Sequence, residues 1–164
     1  MATNSASARL ADQLRRAFNG SAWHGPALLE LLQDVDAVQA AAKPLPKVHS
    51  IWELTLHITA WDRAVCRRLS GEKLQLTGLQ DFPRVPKPTK AAWRQAVRKC
   101  ARTHDALVKT VAGLPEPRLR DRVPGKRYDF AFMLEGVVQH ELYHAGQIAI
   151  LKKVQRPANR AARP

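Results

Sequence analysis

Cysteine, acidic residues and long apolar runs are all scarce in this 164-residue chain. Its two cysteines, Cys66 and Cys100, stand at no redox or metal-ligand spacing and fall inside helical patterns, which argues against a disulfide scaffold and predicts two structural thiols in a reducing compartment. No apolar run approaches the roughly 20 residues needed to cross a bilayer, and the N-terminus lacks the apolar core of a secretory leader, so a cytoplasmic protein with no membrane partner is expected. Acids number 14 against 27 Lys and Arg, a formal charge of +13. The excess is uneven: residues 84–102 hold seven basic side chains and no acid, and the stretch from Lys152 onward holds five more. Lys90, Arg94, Arg98 and Arg102 recur every fourth residue, a like-charge ladder that costs a helix a few tenths of a kcal/mol per pair. No aromatic residues are interleaved with these cations and no groove-reading motif accompanies them, so they read as a solvated face and not as a specific nucleic-acid partner site.

Strand patterns are also missing, and helical periodicity fills the gap. Leu10, Leu14, Ala17 and Phe18 begin a first helical segment that breaks near Gly20 and Gly25-Pro26, resumes through Leu28–Val35, and is followed by a short piece from Asp36 to Ala42. Ser50 with Glu53 makes a capping box that starts a second helix, ending near Gly71. Gly78, Pro83, Pro86 and Pro88 mark a long loop that no helix can cross. Thr89 caps a third helix, whose apolar positions Trp93, Cys100, His104, Leu107, Val111 and Leu114 form a bundle seam. After a loop from Pro115 to about Tyr128, a last helix starts near Asp129 and carries Phe130, Leu134, Val137, His144, Ile148 and Leu151 inward. Main helices of roughly 20 to 26 residues, about 30–39 Å, predict an all-α antiparallel four-helix bundle. One domain over residues 1–155 is expected, with 156–164 a frayed basic tail.

His140-Glu141-Leu142-Tyr143-His144 carries the chemistry. Two imidazoles four residues apart share a helix face, a metal-ligand spacing, and the pattern matches the His-Glu-x-x-His signature in which the glutamate is general base. A zinc protease would take its third ligand from downstream, yet residues 145–164 contain no Asp, Glu, His or Cys. A third ligand would then come from upstream, and His57 on the second helix is the best candidate. The three histidines would leave one coordination position open for water or substrate. Imidazole suits zinc, taken first, and nickel, taken second. Glu141 lies some 100° round the helix from His140, so it is either a catalytic base or the partner of a neighbouring helix. Glu53 is accounted for by its cap, and His104 by a hydrogen-bonded core position. Gln147 can orient His144 through its second nitrogen. Trp52 and Trp61 are candidates for pocket walls, and Gly146 for a close helix approach. Tyr143 is either an oxyanion donor or an interface residue. His24 and His49 lie beside turns, with no role beyond His24 at a cavity mouth.

Trp23-His24-Gly25-Pro26, the segment Ser50–Trp61 around His57, and Gly136–Ile148 with its His-x-x-x-His-x-Gly-Gln-Ile pattern together resemble the DinB-like (YfiT-related) superfamily of metal-binding proteins. The resemblance covers nearly the whole chain. It implies a four-helix bundle, a divalent metal held by three histidines matching His57, His140 and His144, and frequent homodimers. Some relatives are similar to thiol-dependent S-transferases and to a thiol-dependent maleylpyruvate isomerase. The resemblance therefore favours thiol transfer, with a small-molecule thiol or electrophile as partner. Two alternatives remain: hydrolysis with Glu141 as base, and a non-catalytic basic binding protein whose metal is structural.

Overall fold

The computed structural model describes residues 5–155; the predicted tail at 156–164 lies outside the described residues. Among the described residues six α-helices make up the fold: α1 (Ala6–Phe18), α2 (Leu28–Leu32), α3 (Ala37–Ala41), α4 (Ile51–Leu69), α5 (Lys90–Ala112) and α6 (Phe130–Val154). Among the described residues there is no strand, only one isolated bridge between Arg122 and Asp129. Side-chain caps start five of these helices: Ser5 accepts from Ala8 N, Asp36 from Gln39 N, and, where the sequence puts helix starts, Ser50 from Glu53 N, Thr89 from Ala92 N and Asp129 from Phe132 N. Glu53 completes the predicted box by accepting from Ser50 N at 2.8 Å. The first helix ends after 13 residues, at the break expected near Gly20, because Gly20 and Ser21 both take positive φ (76° and 58°) and turn the chain out of helical geometry.

Helix direction follows from two apolar clusters at opposite ends of the bundle. Phe18, Trp52, Ile58, Trp93, Cys100, Ile148 and Leu151 belong to one; Leu10, Leu69, Leu107, Val111, Phe130 and Val137 belong to the other. Thus α1 and α6 run one way while α4 and α5 run the other. The packed pairs α1–α5 and α4–α6 are antiparallel, whereas α4 and α5 lie side by side in the same direction. Two parallel neighbours cannot be joined by a tight turn, so residues 70–89 must return along the whole bundle. This connection passes over α4 and delivers Asp81 and Phe82 to His57, as described below.

Between the two apolar clusters lies a polar layer of Asp62, His104 and Glu141, all almost completely buried. Lys152, read from the sequence as part of the basic tail, is instead buried, and its Nζ donates to Leu31 O (2.6 Å) and pairs with Asp34, tying the end of α6 to the α2 segment. By contrast Lys90, Arg94, Arg98 and Arg102 are all exposed on α5.

Candidate metal centre

His57 projects from α4 and His140 and His144 from α6, two helices that pack against each other. The three Nε2 atoms converge: His57 Nε2 is 3.0 Å and His144 Nε2 3.1 Å from His140 Nε2. The outer nitrogens identify the tautomers. His57 Nδ1 lies 2.9 Å from the Asp81 carbonyl oxygen and 3.0 Å from its Oδ1, and His144 Nδ1 lies 2.7 Å from Gln147 Oε1. Those are acceptors, so Nδ1 carries the proton in both rings and each Nε2 presents a lone pair inward. Lone pairs meeting at such distances repel unless a proton or cation lies among them. Donors about 2.0–2.1 Å from a zinc-sized ion at tetrahedral angles sit roughly 3.4 Å apart, a small expansion of the present cluster.

Electrostatics keep the two α6 rings, His140 and His144, neutral. Burial, then the neighbouring His144 and His57, lowers the His140 pKa to about 3. Burial also lowers that of His144, against the Gln147 hydrogen bond, which raises it. Neutral imidazole is the ligating form, so the donor set fits a divalent ion near neutral pH. Gln147 does for His144 what its spacing predicts. For His57 the corresponding role falls to Asp81, which the sequence offers no means of selecting from a 20-residue connection. Phe82 stacks on His57 at 4.0 Å, and Trp61 donates Nε1–H to Asp81 Oδ1 at 2.8 Å, holding the carboxylate in place.

The depressed pKa gives a stability prediction for the metal-free protein. In the fold His140 resists protonation down to about pH 3, whereas in the unfolded chain it charges near 6.5. Its contribution is therefore present above pH 6.5 and is lost as pH falls towards 3, amounting to about 2 kcal/mol by pH 5. Thermal melts of metal-free protein at pH 7.5 and 5 are expected to show a steeper acid loss for the native chain than for His140→Ala. Parallel losses would refute this.

Glu141 does not join the histidines. Its side chain is fully buried on the other side of α6, with Oε1 2.8 Å from His104 Nδ1, and Asp62 Oδ2 lies 3.2 Å from the same nitrogen. This corrects the expectation of a base beside the metal and follows the other reading, a partner for a neighbouring helix. A general base must reach the proton it removes, and this carboxylate faces the core. His104 Nε2 lies 3.2 Å from Leu14 O, and the ring stacks on Phe18 at 4.0 Å. Burial opposes charge on His104, but the bonds to Asp62 and Glu141 outweigh it and raise its pKa to about 10. Burial raises Glu141 to about 7, opposed by its hydrogen bond to His104. His104 is thus a core imidazolium between two carboxylates, consistent with the hydrogen-bonded core position its spacing suggested.

The remaining candidates separate clearly. Trp52 is core, packed on Trp93 with ring centroids 5.1 Å apart, so only Trp61 walls a pocket. That cavity, about 220 Å³, runs from His140 past Trp61, Val137 and Phe132 to Arg68. His24 and Gly146 border a separate groove of about 620 Å³ between the α2 segment and α6. A Cβ on Gly146 would meet nothing within 4 Å, so close helix approach does not explain this glycine. His49 stacks on the face of Phe82 at 4.0 Å. Tyr143 is exposed. Both cysteines are free, and burial raises both thiol pKa values, the state of inert structural thiols.

A helical bundle whose α4 and α6 bring three imidazoles to one point defines a helical protein with a potential metal centre. The DinB superfamily model matches residues 22–148, and the chain belongs to that superfamily. No curated protein and no solved structure matches it.

Proposed function

We propose that His57, His140 and His144 hold one divalent ion, zinc in the first instance and nickel in the second, and that the protein is a metal-dependent enzyme of the thiol S-transferase type. When bound, such an ion favours the thiolate form of a thiol at its open position. The observation that carries the choice of thiol over water is the position of Glu141: it is turned to His104, the Asp81 carboxylate is engaged by His57 Nδ1 and Trp61, and among the described residues no carboxylate lines the cavity at His140 to serve as the base that hydrolysis would need. Asp81 and Gln147 hold the imidazoles in the ligating tautomer, and Trp61 and Val137 give the reacting molecule an apolar wall that excludes water.

The test is turnover by metal-loaded protein against thiol-plus-electrophile pairs and, separately, against esters and amides. Activity is expected in the thiol panel alone, with Glu141→Gln retaining most of it wherever that variant folds. A general base normally contributes about 10²- to 10⁴-fold, so ester hydrolysis that collapsed by that factor in folded, metal-loaded Glu141→Gln would overturn the assignment.

The same reading takes the protein as cytoplasmic, with no specific nucleic-acid partner. Among the described residues no helix is long and apolar enough to cross a membrane. Sequence-discriminating DNA binding that survived high salt would favour the basic binding protein instead. A homodimer would have the exposed Phe132, Tyr143, Ile150 and Val154 of α6 on which to form, and sedimentation equilibrium decides it.

A further inference from the structure

Arg68 is a cation in an unusual place. It stands in the last turn of α4 and is only 2 % exposed, yet among the described residues no carboxylate lies within ion-pair distance of it. Its Nε and Nη2 both donate to the Leu74 carbonyl oxygen, at 3.2 and 3.0 Å, and its guanidinium carbon lies 5.3 Å from the centre of the Trp61 ring. The carbonyl end of α4, Leu74 O and the indole face offset part of the charge. They use only the Nε–Nη2 edge of the fork. Among the described residues the Nη1–Nη2 edge keeps its parallel N–H pair without an acceptor, and Arg68 lines the same cavity of about 220 Å³ that reaches His140.

The geometry along this cavity is ordered. Trp61 lies between the two ends, its ring 5.9 Å from that of His140 on one side and under the Arg68 guanidinium on the other. Met133, Val137 and Phe132 complete an apolar wall. A free guanidinium edge matches a carboxylate, which accepts two parallel N–H bonds in one plane. A single cation neutralises a monoanion, whereas a phosphate dianion would be left with uncompensated charge in an apolar pocket.

We propose that Arg68 is the anion-binding residue of this pocket, and that the molecule it selects is a small monocarboxylate with an apolar body lying along Trp61, its far end at the histidine cluster. The last part rests on the proposed metal-dependent activity, while the carboxylate site stands on Arg68 and the cavity alone. Its experiment separates the two. Full-length protein, metal-loaded and metal-free, is titrated with 3-phenylpropanoate and with its uncharged isostere 3-phenylpropanamide, following amide and indole resonances by NMR. The carboxylate is expected to bind about tenfold more tightly in both forms, as a charge-assisted bidentate pair exceeds a neutral contact. Arg68→Met should remove the preference and Arg68→Lys, which keeps the charge without the fork, should retain part of it. Equal affinities in the native protein, no carboxylate binding at millimolar concentration, or a preference that vanishes on metal removal would each overturn the proposal, the last by showing that the carboxylate had gone to the ion. These outcomes do not require either variant to fold. Failure of the histidines to bind metal, measured separately by metal analysis, would leave the carboxylate preference intact.

Discussion

Replacing any one of His57, His140 or His144 with Ala is expected to reduce bound metal from about one equivalent to a small fraction while leaving the helical circular-dichroism spectrum in place. Three protein ligands are the fewest seen in ordinary catalytic zinc sites, so two imidazoles hold an ion poorly. Fold and site are energetically separable here, because the core is built on two apolar clusters, one at each end of the bundle. Metal analysis of protein purified without a metal-affinity column measures the effect. Stoichiometric metal in His57→Ala would show that α4 does not contribute a ligand. Asp81→Ala is a milder companion: the His57 ring keeps the carbonyl bond at 2.9 Å but loses Oδ1, so weaker metal binding is expected, by about 10- to 100-fold at most, the usual range for such supporting groups.

The second large effect is expected in the buried polar layer and not at the histidine cluster. His104→Leu keeps much of the ring's volume but leaves Asp62 and Glu141 buried together without their cation, and breaking a buried ion pair in this way costs about 3–5 kcal/mol. For a domain of this size that corresponds to a fall in Tm of about 10 °C or more. Replacing Asp62, His104 and Glu141 together with leucine removes the stranded charges, and stability should then return towards the native value. A single His104→Leu chain as stable as the native one would mean that the two carboxylates share protons and need no imidazolium. The pH dependence has a definite sign. His104 holds its proton to about pH 10 in the fold against about 6.5 unfolded, so its contribution is present below pH 6.5 and is lost as pH rises through 10.

Much of this molecule was legible locally. Caps at Ser50, Thr89 and Asp129 mark helix starts because a short polar side chain before an apolar periodic run has one good use, the orphan amides of the first turn. His140 and His144 announce a shared face through their spacing, and the lack of Asp, Glu, His or Cys beyond residue 144 sends a third ligand upstream, where His57 on the second helix is the best candidate and the one the family resemblance matches. Gln147 is legible for the same helical reason. Arg68 carried no local signal, because a basic residue in the last turn of a helix is ordinary and only the course of residues 70–76 shows that it lacks a carboxylate.

The sequence by itself determined the helices, their caps, the apolar faces and the pair of histidines on α6, all of which depend on interactions within one or two helical turns. Tertiary structure decided the direction in which each remaining polar group points. Glu141 is one residue past a metal-ligand candidate, yet 100° of rotation sends it to whichever element lies on that side, and here Asp62 of α4 and His104 of α5 occupy it. Asp81 reaches His57 only because α4 and α5 run the same way and oblige their connection to cross the bundle. Periodicity specifies a face but not its neighbour. That choice rests on how four apolar stripes bury one another, a property of the assembled chain and of no single segment.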